Sequence, residues 1–318
     1  MRAPVVSVIM PTYNRLEYLP LSVESVFAQT FTDWELVIAD DGSGEETRAY
    51  LQSLTDPRVK VVWLPHTGKP SVVSNRALRQ ARGEYVAFLD SDDLWLPTKL
   101  QRQLESLRNH PQCRWSYTKF AVVDASGKPA ARAGREWPTP TGWILEKLLE
   151  EVTVIAQPSV VVSRRLLEEL GAFDEELVMC YDDELWFRLA AHSEIDGIDA
   201  PLTLIRRHRY HSGSDMIAWR DRRRVFEKAL RASRGGHLEP ILRRLRAQMS
   251  AGLAKSQAVG GQRLGALATL LTSLPHSLAY ARYWLGALVT TAAAFAPPSV
   301  RALARRCRNK LRAHSAVP

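Results

Sequence analysis

Four short β-branched runs, each closing on polar residues, constrain the fold most. Val5 to Met10 runs into Pro11-Thr12-Tyr13-Asn14, and Trp34 to Ala39 into Asp40-Asp41-Gly42-Ser43. Val59 to Leu64 is a third run, and Tyr85 to Leu89 closes on Asp90-Ser91-Asp92-Asp93. Uninterrupted apolar runs of this length read as strands buried on both faces, as in a parallel sheet. Leu16 to Gln29, Glu45 to Ser53 and Ser71 to Arg82 lie between them and read as helices, the last stopped by Gly83. Strands alternating with helices predict right-handed crossovers and the doubly wound α/β class. In such sheets ligands bind outside the carboxyl ends of the strands. Three of those ends here carry acidic or polar clusters, so the sequence predicts an acidic crevice along that edge.

Carboxylates two residues apart just beyond a strand can converge on one hard divalent cation. An acidic crevice repels a phosphate ligand unless such a cation, Mg²⁺ or Mn²⁺, inverts the local charge. An isolated Asp-Ser-Asp is more often a solvated turn, or a helix cap with Asp93 as the capping residue. Three clusters on one sheet edge make the ligand-binding reading the stronger one.

Three ordered segments resemble the motifs of family 2 glycosyltransferases: Val5 to Arg15, Trp34 to Ser43, and Ala81 to Asp93, which contains the DXD pattern Asp90-Ser91-Asp92. A fourth follows as Leu170-Gly171-Ala172-Phe173-Asp174-Glu175-Glu176, with Asp182-Asp183-Glu184-Leu185-Trp186 behind it. The set covers about residues 5–215 in the family's order. The resemblance implies a GT-A fold, Rossmann-like with a mostly parallel central sheet and flanking helices. It also implies inverting transfer from a nucleotide-sugar, UDP-linked in this reading.

Carried over position by position, Pro11, Thr12, Tyr13 and Asn14 belong to the donor site, with Thr12 and Tyr13 lining the base pocket. Asp40 or Asp41 hydrogen-bonds the base. Asp90 faces the ribose or sugar beside Ser91, and Asp92 binds the metal. Aligning Leu185-Trp186 makes Asp182 the base that deprotonates the acceptor hydroxyl, with Asp183 the alternative. The family's preceding Glu is Tyr181 here. Its Ala-Arg-Asn is Val73-Ser74-Asn75, so the phosphate-side Arg is absent and Lys69 is the stand-in. Asn75 is kept as a donor residue. His211 fits the place of a metal ligand, and Arg206, Arg207 and Arg209 offer cations to the leaving diphosphate. Gln157-Pro158-Ser159 would face the acceptor, with one of Trp137, Trp143 and Trp186 as a sugar platform.

The charge is unevenly distributed. Residues 1–218 hold 24 Lys and Arg against 31 Asp and Glu, a net of −7, whereas residues 219–318 hold 19 against 3, a net of +16. The first segment reads as a GT-A catalytic domain, with a nucleotide-sugar half to about residue 115 and an acceptor half over 116–218. The second reads as a basic α-helical region. Its Arg clusters beside apolar helical stretches, Leu264 to Leu274 and Tyr283 to Phe295, fit a peripheral anchor on anionic lipid. A helical cap and a nucleic-acid arm are the alternatives; the acidic crevice argues against nucleic acid as a partner. The uncharged stretch 283–300 is cut by Pro297-Pro298 and falls short of the about 20 residues a spanning helix needs. Cys113, Cys180 and Cys307 form no metal spacing or disulfide framework, which fits a reducing, cytoplasmic setting at the inner face of a membrane.

The expected activity is therefore metal-dependent transfer from a nucleotide-sugar to a glycan or lipid-linked acceptor in cell-surface polysaccharide assembly. The competing readings are a nucleotidyltransferase, which would release pyrophosphate, and a non-catalytic nucleotide-sugar-binding scaffold of the same fold. The sugar, the acceptor and the linkage are not encoded in any of these motifs.

Overall fold

The computed structural model describes residues 2–130, 136–207, 215–233, 235–273 and 280–296. The chain divides into two compact units, Met1–Ser212 and Gly213–Pro318.

The first unit holds one eight-stranded sheet. Its strands are β1 (Val6–Thr12), β2 (Trp34–Asp40), β3 (Val59–Trp63), β4 (Tyr85–Phe88), β5 (Leu94–Trp95), β6 (Cys113–Val123), β7 (Val160–Ser163) and β8 (Glu194–Arg206), in the order β3-β2-β1-β4-β7-β6-β8-β5. β3, β2, β1 and β4 are parallel. β7 runs antiparallel to β4 and β6, β8 is parallel to β6, and β5 closes the far edge antiparallel to β8. The helices are α1 (Leu19–Phe27), α2 (Glu45–Ser53), α3 (Pro70–Leu78), α4 (Lys99–Asn109), α5 (Leu145–Leu149), α6 (Arg164–Leu170) and α7 (Tyr181–Ala190).

Alternate residues of the buried strands feed two cores, as the two-residue period of a strand requires. Ile9, Val37 and Phe88 face Val73 and Ala77 of α3 and Leu185, Trp186 and Leu189 of α7. Val8, Met10, Leu36 and Ile38 face Leu19 and Val23 of α1, Leu51 of α2 and Leu100 and Leu104 of α4. Helices on both faces explain why β1 and β2 read as unbroken apolar runs.

A polar clamp ties the opposite, amino-terminal edge of the sheet. Ser7 Oγ donates to Glu35 Oε1 at 2.6 Å and accepts from Gly83 N at 2.8 Å. Arg82 donates from Nε and Nη2 to Glu35 Oε2 at 2.9 and 2.7 Å, and its backbone N–H donates to Glu35 Oε1 at 2.7 Å. Burial alone would raise the Glu35 carboxyl, but these donors outweigh it and hold the group below its ordinary value. A Cβ on Gly83 would lie 2.6 Å from Ser7 N, so only glycine lets the chain enter β4 here.

Three elements depart from the sequence reading. α1 begins at Leu19 rather than Leu16, behind a turn in which Tyr18 N–H bonds Arg15 O. α3 ends at Leu78 rather than Arg82, because the clamp takes the Arg82 N–H. β8, thirteen residues long, went unforeseen; its pairing with β6 shifts register around Thr118 and Lys119, and Gly197 and Pro201 break its periodicity.

The second unit is helical: α8 (Asp215–Ala232), α9 (Glu239–Val259), α10 (Arg263–Ser273) and α11 (Ala281–Phe295). α10 and α11 pack on α9 and on each other. Ala247, Ala251 and Ala254 of α9 meet Leu270 of α10 with Trp284 and Ala287 of α11. Among the described residues no helix is long and apolar enough to cross a membrane.

Candidate active site

The carboxyl ends of β1 and β2 lie side by side, with Thr12 in register with Asp40. Thr12 Oγ1 and Asp40 Oδ1 are buried there without a hydrogen-bond partner in the protein. Buried polar atoms are almost always paired, so two orphans at one edge mark a place where something else binds. The other Asp40 oxygen accepts from Ser43 N at 3.0 Å. Asn14 adopts φ 49°, a left-handed conformation that Asn tolerates better than most residues. It links the two loops: its N–H donates to Ser43 Oγ at 2.9 Å and its Oδ1 accepts from Gly44 N at 2.8 Å.

Asp41 organises the loop after β3. Its Oδ1 accepts from Thr67 N and Thr67 Oγ1, both at 2.8 Å, and its Oδ2 accepts from Gly68 N at 3.0 Å. His66 Nδ1 lies 3.0 Å from Asp41 Oδ2, and the His66 ring stacks on Tyr13 with centroids 4.1 Å apart. A Cβ on Gly42 would sit 2.8 Å from His66 N, which is how that loop comes so close.

Asp90 to Asp93 form a turn closed by Asp93 N–H to Asp90 O at 3.1 Å. Ser91 is buried within it. Arg206, at the end of β8 and 1% exposed, secures the turn from below. Its backbone N–H donates to Asp93 Oδ1 at 2.7 Å. Its side chain donates to Asp92 O and to Ala125 O, both at 2.9 Å, and lies over the Tyr18 ring at 4.9 Å. Asp92 Oδ2 faces Arg15 Nε at 3.6 Å.

The other wall comes from α7 and the short turn Gln157–Ser159. Cys180 takes φ 57° just ahead of α7, whose first turn carries Asp182, Asp183 and Glu184. Gln157 is buried, donates from Nε2 to Asp90 Oδ1 at 3.4 Å, and is hydrogen-bonded to the Tyr181 side chain. Asp90 is pushed up to about 8, first by burial and then by the charges of Asp92 and Asp182. Burial, with Asp90, Asp182 and Asp92 around it, also raises the Tyr181 phenol well above its ordinary value. Asp90, Asp92, Asp182 and Tyr181 thus share one electrostatic site, assembled from two segments 89 to 92 positions apart. Glu184 is turned elsewhere: it pairs with Arg188, which also donates to Leu170 O, Gly171 O and Ala172 O.

Other candidates are engaged differently. Lys69 Nζ donates to Glu175 O at 3.2 Å. Asn75 Nδ2 donates to Phe173 O at 2.8 Å and its Oδ1 accepts from Phe173 N at 3.1 Å, so its side chain holds the loop before α7. The cation of Arg206 serves the Asp90–Asp93 turn. Trp186 is core, 1% exposed, whereas Trp143 is 63% exposed and Trp137 lines a surface groove with Lys119, Pro140, Lys147 and Asp199. His211 and Arg209 lie outside the described residues. Sequence reasoning gives no role to His66; Arg15 appears in it only as the end of the first motif, and Gln157 only as an acceptor-side residue rather than a partner of Asp90.

Among the described residues no three His, Cys, Asp or Glu side chains gather closely enough to hold a metal by themselves. A cation shared with a diphosphate ligand fits better. Burial first, and then the charges of Asp92 and Asp182, lift Asp90; such a cation would relieve the second of these, and the Arg15 guanidinium already lies against Asp92.

An α/β sheet with helices on both faces and an acidic cluster at its carboxyl edge is the GT-A architecture of glycosyltransferases. Residues 7–171 match the model of "Glycosyl transferase family 2", and the chain belongs to that family. It is 42% identical over 128 residues to a Bacillus subtilis protein described as a teichuronic acid biosynthesis glycosyltransferase, TuaG. That match covers 40% of this chain and half the length of the relative. It is 30% identical over 198 residues to the Escherichia coli UDP-Glc:α-D-GlcNAc-diphosphoundecaprenol β-1,3-glucosyltransferase WfgD, covering 61% of this chain and 73% of that one. S. aureus TarS (1–349), solved with UDP, superposes with a TM-score of 0.59 at 23% identity, over 94% of this chain and 82% of that one. At that identity the likeness speaks for the fold.

Proposed function

We propose that the chain is a metal-dependent, inverting transferase that moves a sugar from a UDP-linked donor to a hydroxyl of a glycan or lipid-linked acceptor in cell-surface polysaccharide assembly. The observation that carries this reading is the convergence of Asp90, Asp92 and Asp182 at the carboxyl edge of the sheet. The donor and acceptor classes are supported by the names of relatives: WfgD uses UDP-Glc and a diphosphoundecaprenol-linked acceptor, and TarS has been solved with UDP-GlcNAc. In this reading residues 1–218 catalyse, and residues 219–318 bring them to the anionic cytoplasmic face of a membrane.

The base pocket is formed by Thr12, Tyr13 and Asp41, with Pro11 and Asn14 shaping its floor. Tyr13 offers an aromatic face and Asp41 a carboxylate at one place, where the His66 ring stacks on the first and lies 3.0 Å from the second; a planar base with an N–H donor, such as uracil, suits that pair. Asp40 sets the turn through Ser43, and its orphan oxygen faces the same edge. Asp90 and Ser91 face the ribose or sugar. Asp92 would hold a divalent cation, Mn²⁺ or Mg²⁺, and that cation would supply charge neutralisation to the leaving diphosphate.

Asp182 is the general base. Asp90 and Tyr181 both sense its charge, which favours it over Asp183 as the carboxylate facing the donor. Its carboxylate takes the proton of the acceptor hydroxyl as that oxygen bonds to the anomeric carbon. The bond from that carbon to the diphosphate oxygen breaks on the opposite face, and the nucleoside diphosphate departs with the electron pair. Inversion follows from the single in-line displacement.

The test is a screen of nucleotide-sugars with Mn²⁺, read as nucleoside diphosphate released. Release from one UDP-sugar, suppressed by Asp92→Asn, supports the proposal. Pyrophosphate as the product would make the chain a nucleotidyltransferase. Metal-dependent nucleotide binding without turnover of any donor would make it a scaffold.

A further inference from the structure

The helical unit leaves two rows of large apolar side chains exposed on α10 and α11. On α10 the buried positions are Ala266, Thr269, Leu270 and Ser273, whereas Leu264, Leu267 and Leu271 are 77%, 39% and 63% exposed. On α11 Trp284, Ala287 and Thr291 are buried, whereas Leu285, Leu288 and Val289 are 67%, 41% and 61% exposed. Spacings of three, four and seven on α10, and of three and four from Leu285 on α11, put each outer set on one helical face. No charged residue falls within the row on α10, and on α11 Arg282 precedes the row at the same helical spacing, three residues before Leu285 and seven before Val289. Both helices meet the alanines of α9 through Leu270, Trp284 and Ala287, so the outer rows, on the other side of each helix, turn away from it. Exposed apolar rows of this kind mark a binding surface rather than an ordinary exterior.

Charge identifies the occupant. The unit is strongly basic, with Arg263 opening α10. The sequence after α11 continues into Arg301, Arg305, Arg306, Arg308, Lys310 and Arg312. An apolar helix face beside concentrated cations is what binds the boundary between acyl chains and anionic headgroups. Helices of 11 and 15 residues are too short to cross a bilayer and long enough to lie in its surface. We infer that α10 and α11 together form a monotopic docking face for an anionic phospholipid bilayer, inserting the Leu264/Leu267/Leu271 and Leu285/Leu288/Val289 rows. This deepens the membrane part of the proposed function and is independent of the catalytic part.

The test is co-sedimentation of the full chain with vesicles of phosphatidylglycerol and phosphatidylcholine in equal parts, and with phosphatidylcholine alone. The variant combines Leu264→Gln, Leu271→Gln, Leu285→Gln and Val289→Gln; all four positions are exposed and Gln keeps helix propensity. The expected result is binding to the anionic vesicles, weakened by salt, with a partition coefficient at least about tenfold lower for the variant. Helical content and donor hydrolysis without vesicles should match the wild type. Equal binding by the variant overturns the inference, as does a wild type that ignores anionic vesicles. A change from dimer to monomer with vesicle binding intact overturns it in favour of self-association. Loss of donor hydrolysis in the wild type would count against the catalytic reading and leave this one standing.

Discussion

Arg206 should be the residue whose loss most disturbs the donor-side turn without touching a carboxylate. Arg206→Met keeps the apolar stem and removes the guanidinium. The backbone bond from residue 206 to Asp93 Oδ1 survives, and the side-chain donations to Asp92 O and Ala125 O at 2.9 Å are lost, along with the contact over Tyr18. Hydrogen bonds to a charged group are worth about 1.5–3 kcal/mol each, and a desolvated cation over an aromatic ring adds about 1–2 kcal/mol. Removing the buried guanidinium also relieves its desolvation cost, so the net loss in stability should be about 3–5 kcal/mol. Urea denaturation followed by tryptophan fluorescence reads it, because seven of the nine tryptophans lie in Met1–Ser212. UDP affinity with Mn²⁺ should fall as well, since Asp92 loses the anchor on its own carbonyl. Arg206→Lys, with one donor in place of two, should fall between. A loss under about 1 kcal/mol with unchanged UDP affinity would refute the bracing role of Arg206.

Glu35→Gln should cost about 1–2 kcal/mol at neutral pH by weakening the clamp with Ser7 and Arg82. Because the folded state depresses the Glu35 carboxyl, that contribution is present above the unfolded value of about 4.3 and fades as pH falls through the folded one, so the wild-type and variant stability curves should converge in acid. Gly83→Ala drives a Cβ into the Ser7 backbone and should cost about 1–3 kcal/mol or prevent folding, read as soluble yield and melting temperature. Tyr13→Ala should weaken nucleotide binding by about 1–3 kcal/mol in calorimetry, the worth of a base–aromatic stack, while leaving the melting temperature unchanged because Tyr13 is 41% exposed.

The strand-end motifs were legible because two simple signals coincide there, an apolar run buried on both faces and an abrupt polar stop. Asp40 and Asp90 could be singled out for that reason, whereas Asp182, in the first turn of α7, is reached only through the resemblance carried by Leu185-Trp186; β1, β2 and β4 came within a residue or two. What stayed hidden depends on distant partners. Arg206 reads in the sequence as one cation among several near a diphosphate, yet it is buried against a turn 113 residues away. Asn75 reads as a donor contact and instead holds Phe173, 98 residues on. β8 escaped because Gly197, Pro201 and the acids Asp196 and Asp199 break its alternation, although the bulged ladder with β6 tolerates them. The inverted helices α10 and α11 have ordinary amphipathic spacing; only packing against the alanines of α9 reveals which face looks outward.

The most direct measurement compares sugar transfer by Asp182→Asn and Asp183→Asn while UDP affinity with Mn²⁺ is followed in parallel. Asp182→Asn should cut transfer by about 10²–10⁴-fold, the usual worth of a general base, with UDP affinity held within about twofold. Asp183→Asn should leave most of the rate. Transfer that survives Asp182→Asn, or fails only with Asp183→Asn, would contradict the assignment of the acceptor-activating base.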